Sequence, residues 1–135
     1  MFFVDSSFII ALFNNTDINR YKAVHSFLDE FEYINKAPKA INNIVFNEVL
    51  NKLRKSYFRG KEEEIIEFLL NMDSIYFVNN ESYEIALDLY RMYDYNINFS
   101  DLLIALSMKD NGIKNILSFD RDFFKIKGII NIYIQ

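Results

Sequence analysis

Cysteine is absent from this chain of 135 residues, which excludes disulfides, thiol catalysis and thiolate metal sites together. No apolar run approaches the roughly 20 residues that a membrane-spanning helix needs. No positively charged segment precedes the N-terminal apolar run, and Asp5 interrupts that run, so the pattern of a signal peptide is poorly matched. We therefore expect a soluble, cytoplasmic protein that makes no use of a membrane.

A basic balance is also lacking, because 15 cationic side chains stand against 19 acidic ones and the net charge is −4. That balance argues against a general nucleic-acid binder. The cations are nevertheless concentrated in residues 51–61, NKLRKSYFRGK, which contain no anion. Two interpretations of this segment stay open. It is either the cationic end of a helix that stops at Gly60, or a face that binds phosphates.

What the chain does have is an apolar content of 51% and an alternation of strand and helix patterns. Short apolar runs predict strands at 2–4, 74–78, 115–119 and 129–134. Helical spacing of apolar residues predicts helices at 8–13, from residue 19, and at 44–58, 61–72, 81–93 and 100–110. Asn43 and Ser100 are the predicted N-caps of the helices at 44–58 and 100–110. We expect one α/β domain over residues 1–135, with three α/β/α layers and a mostly parallel sheet of four or five strands.

Four acidic residues from distant segments stand where such a sheet binds ligands. Asp5 and Asp120 directly follow apolar strands, and ligands bind beyond the carboxyl ends of parallel strands. Asp101 lies in the first turn of its predicted helix, where the helix dipole favours an anion. Glu48 lies inside the apolar segment IVFNEVL.

Each of these acids also has a purely structural explanation. Asp5 and Asp101 are placed to cap helices, Asp120 is placed to begin a turn, and Glu48 is compatible with a surface position. Their joint placement favours a site, because buried carboxylates are costly unless they are paired or bound to a metal. With no cysteine and a single histidine, the available oxygen ligands suit Mg²⁺ or Mn²⁺ rather than zinc.

The motifs FFVDSS, NEVLNKL, FSDLLIALS and ILSFDRDFF follow one another along nearly the whole chain. In this order they resemble the four acidic motifs of PIN-domain ribonucleases, above all the small VapC-type toxins of toxin–antitoxin pairs. The resemblance implies that the catalytic, metal-binding acids are Asp5, Glu48, Asp101 and Asp120. It implies supporting roles around the metal for Ser6, Ser118 and Asp122. Asp122 is also the rival of Asp120 as fourth acid, and Asp120 is preferred because it directly follows the strand.

The same resemblance implies a divalent-metal-dependent endoribonuclease, in which Mg²⁺ or Mn²⁺ holds the scissile phosphate of RNA and activates a water molecule. It also implies a homodimer and a cognate antitoxin. The cations that follow Glu48 are expected to flank an RNA groove: Lys52, Arg54, Lys55 and Arg59. Some helical aromatics are candidates for a dimer interface, although such spacing is more typical of core residues: Phe68, Tyr83, Tyr90 and Tyr93.

Two other function classes stay open. A metal-dependent phosphatase of the haloacid-dehalogenase kind also begins with an acid after its first strand. Its chemistry needs a second acid two residues later, where this chain has Ser7. A non-catalytic protein-binding module with the same fold is disfavoured by the intact set of four acids. The single histidine, His25, lies beside the apolar stripe of a predicted helix, and we assign it no catalytic role.

Overall fold

A parallel sheet of five strands forms the centre of the computed structural model, which describes residues 1–133. The strands are β1 (Phe2–Val4), β2 (Lys39–Asn42), β3 (Ser74–Tyr76), β4 (Asn115–Ser118) and β5 (Ile130–Tyr133). Their order is β3-β2-β1-β4-β5, and every neighbouring pair is parallel. The predicted α/β fold with its parallel sheet is confirmed. The predicted last residue of the final strand, Ile134, lies outside the described residues.

Seven α-helices connect the strands in the part of the chain that the structure describes. They are α1 (Ser6–Phe13), α2 (Ile18–Glu30), α3 (Glu32–Lys36), α4 (Asn43–Lys52), α5 (Glu62–Leu70), α6 (Asn80–Met92) and α7 (Phe99–Asp110). Short 3₁₀ segments occupy Ser56–Phe58 and Arg121–Lys125. Among the helices within residues 1–133, none is long and apolar enough to cross a membrane.

Strand β1 lies at the centre of the sheet, between β2 and β4. Phe3 and Val4 have no exposed surface, as expected for a parallel strand that is covered on both faces. Val4 pairs with Leu117 of β4, and the backbone N–H of Asp5 donates to the Leu117 carbonyl at 3.0 Å. The residues that follow β1 and β4 therefore meet at the same edge of the sheet.

Strand β2 is absent from the sequence prediction. Its segment KAIN has only two apolar residues, Ala40 and Ile41, and both are wholly buried. Lys, Ala and Asn are depleted in strands, so the local pattern carries almost no strand signal. The segment is a strand because β1 and β3 pair with it on its two sides.

Helix α4 is shorter than predicted. It ends at Lys52 instead of residue 58, and Lys55 already has extended backbone with ψ of 142°. The chain then turns so that Phe58 is wholly buried in the core. The prediction of one cationic helix that continues from Glu48 and stops at Gly60 is therefore wrong.

Asn42, rather than the predicted Asn43, caps α4. Its Oδ1 accepts the backbone N–H groups of Ile44 and Val45 at 3.1 Å each. Its Nδ2 donates to Ser107 Oγ at 2.9 Å, and this bond is buried. One wholly buried side chain thus begins α4 and also ties it to α7.

Asn98, rather than the predicted Ser100, caps α7. The Oδ1 of Asn98 accepts the backbone N–H of Ser100 at 3.2 Å. The helix therefore begins one residue earlier than predicted, at Phe99. Asp101 nevertheless lies in its first turn, as the sequence indicated.

Candidate functional site

Four carboxyl groups from separate parts of the chain line one cleft of about 260 Å³, which we call the acid cleft. They come from the ends of β1 and β4 and from helices α4 and α7: Asp5, Asp120, Glu48 and Asp101. The other lining residues are Ser6, Ser7, Arg20, Asn98 and Phe119. The structure therefore brings together all four acids that the sequence singled out.

Two serine hydroxyls orient Asp5. Ser118 Oγ donates to Asp5 Oδ2 at 2.7 Å, and Ser7 Oγ donates to the same oxygen at 2.8 Å. Burial raises the pKa of the Asp5 carboxyl, and the two hydroxyl bonds partly oppose that rise. Asp5 occupies the N-cap position of α1, but its side chain makes no capping hydrogen bond. Helix capping therefore does not explain why a carboxylate stands here.

Ser7 contributes to this arrangement in a way that the sequence reasoning missed. Its Oγ accepts the backbone N–H of Phe119 at 3.0 Å, and Ser118 Oγ accepts the N–H of Asp120 at 2.8 Å. The two hydroxyls thus join the ends of β1 and β4 around Asp5. The available signal was a second hydroxyl after the strand-ending acid, but only Ser6 was considered.

Glu48 reaches the acid cleft from α4. Ser6 Oγ donates to Glu48 Oε2 at 3.3 Å, whereas Oε1 is buried and has no hydrogen-bond partner. Burial, and then the charge of Asp5, raise the pKa of Glu48 to about 7. A surface position for Glu48, the structural alternative that the sequence left open, does not fit a buried carboxylate oxygen.

The pKa of Asp101 is raised further than that of Glu48. Asp101 is 5% exposed, and its Oδ2 is buried without a partner. Burial raises its pKa to about 10, helped by hydrogen bonding to Asp120 and by the charges of Asp120 and Asp5. Negative charge at this position is therefore strongly disfavoured in the protein alone.

A divalent cation fits these observations. Glu48 Oε1 and Asp101 Oδ2 are buried oxygens without hydrogen-bond partners. Burial is the largest cause that raises the pKa values of the three clustered acids Asp5, Glu48 and Asp101, and the charges of neighbouring acids add to it. All the donors are oxygens, which suits Mg²⁺ or Mn²⁺. The side chains that would hold such an ion are Asp5, Glu48, Asp101 and Asp120.

Asp120 and Asp122 differ in their positions relative to the acid cleft. Asp101, Asp120 and Asp122 each offer one carboxylate oxygen, and these three oxygens lie within 4.8 Å of one another. Asp122 Oδ1 accepts from Lys125 Nζ at 3.0 Å, and its Oδ2 accepts the backbone N–H of Asn98 at 3.1 Å. Asp120 lines the acid cleft, whereas Asp122 does not. The geometry therefore favours Asp120 as fourth acid, with Asp122 behind it.

The family model of the PIN domain matches residues 2–129. The chain belongs to the PIN-domain family. This PIN domain is similar to the solved structure of VapC20 from Mycobacterium tuberculosis, a toxin that cleaves the sarcin–ricin loop. The two chains are 25% identical, the TM-score is 0.74, and the match covers 93% of this chain and 94% of the other.

Two further structures share the fold of this PIN domain. A toxin–antitoxin complex from Klebsiella pneumoniae matches with a TM-score of 0.69 and 17% identity, over 96% of both chains. DNA-bound VapBC from Salmonella typhimurium matches with a TM-score of 0.68 and 16% identity, over 96% of this chain and 95% of that one. No curated protein gives a significant match.

The predicted RNA-binding cations take different positions around the PIN acid cleft. Lys52 lines a second cleft that adjoins it. Three others are exposed and line neither of these two clefts: Arg54, Lys55 and Arg59. Arg20, which the sequence analysis did not consider, lines both. His25 Nε2 lies 3.1 Å from the Leu12 carbonyl, and the residue lines neither cleft.

Proposed function

We propose that this protein is a divalent-metal-dependent endoribonuclease that hydrolyses phosphodiester bonds of RNA, and that it is the toxin of a toxin–antitoxin pair. The observation that carries the proposal is the acid cleft, where carboxyl groups from four segments meet and two buried oxygens have no partner. Membership of the PIN family and similarity to a VapC toxin that cleaves RNA of the sarcin–ricin loop support it.

The proposed cofactor is Mg²⁺ or Mn²⁺, held by Asp5, Glu48, Asp101 and Asp120. When bound, such an ion polarises the scissile phosphate and lowers the pKa of a water molecule. The chain contributes by fixing the carboxylates beforehand: Ser118 and Ser7 hold Asp5, and Ser6 holds Glu48. Prearranged ligands lose little entropy when the ion arrives, which favours binding of both metal and substrate phosphate.

Water is the proposed nucleophile. The Ser7 hydroxyl donates to Asp5 Oδ2 and accepts the Phe119 N–H, so its oxygen is committed to the protein. The Ser6 hydroxyl donates to Glu48, an acid that it positions. The His25 ring packs at a tilt against Tyr21, with ring centroids 4.3 Å apart and an interplanar angle of 46°, and His25 does not line the acid cleft. Ser7 also stands where a phosphatase of the haloacid-dehalogenase kind needs an acid.

Cleavage of a mixed RNA pool tests the proposal. The purified protein is incubated with Mg²⁺, with Mn²⁺ and with a chelator, beside Asp5→Asn and Asp101→Asn. Asp88→Asn is the matched control, because Asp88 is an exposed acid on α6 that pairs with Arg91 at 3.2 Å. We expect metal-dependent cutting by the wild type and the control only. Equal cutting by Asp101→Asn, or cutting in chelator, would contradict the proposal and point to a contaminating nuclease.

An antitoxin and a second copy of the chain are the proposed protein partners. Solved neighbours of the same fold are toxin–antitoxin complexes from Klebsiella pneumoniae and Salmonella typhimurium, which supports a cognate antitoxin. Helix α6 supports a homodimer, because it exposes large apolar side chains in the described structure: Tyr83, Ile85, Leu87 and Met92. Exposed apolar surface of this kind often marks a protein interface.

The aromatic residues first considered for that interface mostly face inward. Phe68 packs edge-on against Phe13 with ring centroids 5.3 Å apart. Tyr90 packs in the same way against Phe99 at 5.5 Å, and Tyr93 is half-buried. Only Tyr83, with 42% of its surface exposed, stays a candidate for contact with another chain.

A further inference from the structure

The acid cleft opens into a second cleft, also of about 260 Å³, which we call the flanking cleft. The two share Ser6, Ser7 and Arg20, and the flanking cleft continues past Lys52 and Tyr57. We propose that the flanking cleft binds the nucleotide of a single RNA strand that adjoins the scissile phosphate. Arg20 contacts the phosphate at the junction of the clefts, Lys52 contacts the next phosphate, and Tyr57 contacts the base. The inference rests on the proposed ribonuclease function.

Arg20 is held at the junction by an aromatic ring. Its guanidinium carbon lies 4.6 Å from the centroid of the Phe119 ring, and both residues line the acid cleft. Within residues 1–133, no carboxylate lies within 4.0 Å of its side-chain nitrogens. A guanidinium that stacks by its face keeps its N–H edge for other partners, and two parallel N–H groups match a phosphate.

Lys52 is the second cation of the flanking cleft. It is the last residue of α4, one turn beyond Glu48. It lines the flanking cleft together with Ser6, Ser7 and Arg20, which also line the acid cleft. The side chain is exposed, and the ion pairs of the described residues do not include it. A compact, mobile ammonium in this place suits a phosphate beyond the first.

Tyr57 supplies an aromatic wall to the flanking cleft. Its ring packs edge-on against Phe58, with centroids 4.6 Å apart and an interplanar angle of 74°. Phe58 is wholly buried, so the tyrosine has a rigid support. An aromatic ring beside cations that follow a backbone is the arrangement by which proteins bind single-stranded nucleic acid without sequence preference.

One carboxylate also lines the flanking cleft. Asp17 is at the N-cap of α2, and its Oδ1 accepts the backbone N–H of Arg20 at 3.4 Å. Against this single anion stand the two cations Arg20 and Lys52, so the cleft has a positive balance. The acid cleft beside it is lined by the four carboxyl groups that would hold the proposed metal. A polyanion in this position therefore meets cations on one side and the proposed metal on the other.

Steady-state cleavage of a 12-nucleotide RNA and of a dinucleotide with only the scissile bond tests the inference. The variants are Arg20→Gln, Lys52→Gln and Tyr57→Leu, with Lys22→Gln as control, since Lys22 is an exposed cation on α2 outside both clefts. We expect Arg20→Gln and Lys52→Gln each to raise KM for the 12-mer about 5–10-fold with kcat nearly unchanged. Lys52→Gln and Tyr57→Leu should lower kcat/KM for the 12-mer by a larger factor than kcat/KM for the dinucleotide. Each lost cation lowers the salt dependence of binding by about 0.7 in log–log slope.

Several results would overturn the inference. Unchanged KM for the 12-mer in Arg20→Gln and Lys52→Gln, with an active wild type, would reject the flanking cleft alone. A rise in KM confined to the triple variant Arg54→Gln, Lys55→Gln, Arg59→Gln would place the strand elsewhere. If Lys52→Gln lowers kcat/KM by the same factor for the 12-mer and for the dinucleotide, a contact of Lys52 beyond the scissile bond is rejected. A wild type without metal-dependent cleavage would reject the ribonuclease proposal and this inference with it.

Discussion

Asp101 is the residue of the acid cleft at which a negative charge is strongly disfavoured by burial and by neighbouring acids. Its pKa is raised to about 10, and its Oδ2 is buried without a hydrogen-bond partner. Three neighbouring acids, Asp5, Asp120 and Asp122, all raise that pKa further by their charge. A residue that stabilised only the fold would not be an acid at this position, because a neutral amide of the same shape would cost less.

Asp101→Asn is therefore expected to stabilise the metal-free protein while it removes activity. We expect the free energy of unfolding to rise by about 1–3 kcal/mol near neutral pH, and RNA cleavage to fall at least about 100-fold. Thermal denaturation with and without Mg²⁺ checks this, since the metal should raise the melting temperature of the wild type and of the control but not that of Asp101→Asn. Asp110→Asn, at the exposed end of the same helix, is the control. A destabilised Asp101→Asn that still responds to Mg²⁺ would contradict the assignment.

The pH dependence of stability follows from Glu48. Its pKa rises from 4.5 to about 7, so the folded protein binds more protons than the unfolded chain between these values. The free energy of unfolding should therefore fall as the pH rises through this interval, and the raised pKa of Asp101 extends the fall to higher pH.

Melting temperatures of the metal-free protein between about pH 5 and pH 8 measure this fall. Glu48→Gln should make the melting temperature fall less steeply with pH below about pH 7. Added Mg²⁺ should stabilise more at the upper end of the range, because protons compete with the metal for the same carboxylates. A metal-free wild type that becomes more stable as the pH rises would show that these acids are charged in the fold at no cost.

The acids of the cleft were easier to predict from the sequence than the side chains that surround them. Asp5, Glu48, Asp101 and Asp120 were singled out because their joint placement favours a site over the separate structural explanations, and because their motifs resemble those of PIN-domain ribonucleases. Ser7 was missed because a serine is ordinary at a helix start, and the bond that its Oγ accepts from the Phe119 N–H exists only once β1 and β4 are paired. Arg20 was missed for the same reason, since its partner Phe119 is 99 residues away in the sequence.

At the scale of elements, Asn42 connects the two helices that carry Glu48 and Asp101. It caps α4 and donates to Ser107 on α7, within the core. A cap alone contributes about 1 kcal/mol, whereas a buried polar group left unpaired adds a further cost. The position of Glu48 relative to Asp101 therefore depends on this one amide.

Asn42→Ala should cost about 2–3 kcal/mol of stability and also lower cleavage, because α4 loses its attachment to α7. Asn79→Ala is the matched control, since Asn79 caps α6 at an exposed position and bonds only locally to Ser82. The control should cost about 1 kcal/mol and leave cleavage unchanged. Urea denaturation measures the loss of stability in each variant, and the RNA assay measures the loss of cleavage. Equal effects of both variants on cleavage would argue against a role in positioning.

The element errors have physical causes that lie outside the local sequence. β2 carries poor strand formers and is held by partners on both sides, so no pattern within KAIN predicts it. The segment after Lys52 keeps helical spacing, yet burial of Phe58 turns the chain away from α4. Helices and strands with long, regular apolar patterns, such as α7 and β4, were predicted within one residue at each end.

At the scale of the whole molecule, the exposed apolar side chains of α6 are the basis of the proposed homodimer. Ile85 and Leu87 expose 45% and 42% of their surface, and Met92 exposes 66%. We expect sedimentation equilibrium to give twice the mass of one chain, and Leu87→Glu to give the single mass with an unchanged melting temperature. Leu70→Glu, an exposed leucine on α5, is the control. A wild type that stays a monomer at every concentration would contradict the homodimer.

The strand order divides the chain into two consecutive halves that meet between β1 and β4. The first half supplies Asp5 and Glu48, and the second supplies Asp101 and Asp120. A cut in the exposed stretch around Phe77, between β3 and α6, would thus yield two fragments, each with half of the carboxylates. Neither piece holds a complete set of metal ligands. Mg²⁺ or Mn²⁺ should therefore promote their reassembly, so that a nuclease assembled from severed pieces would depend on the ion for its formation as well as for its chemistry.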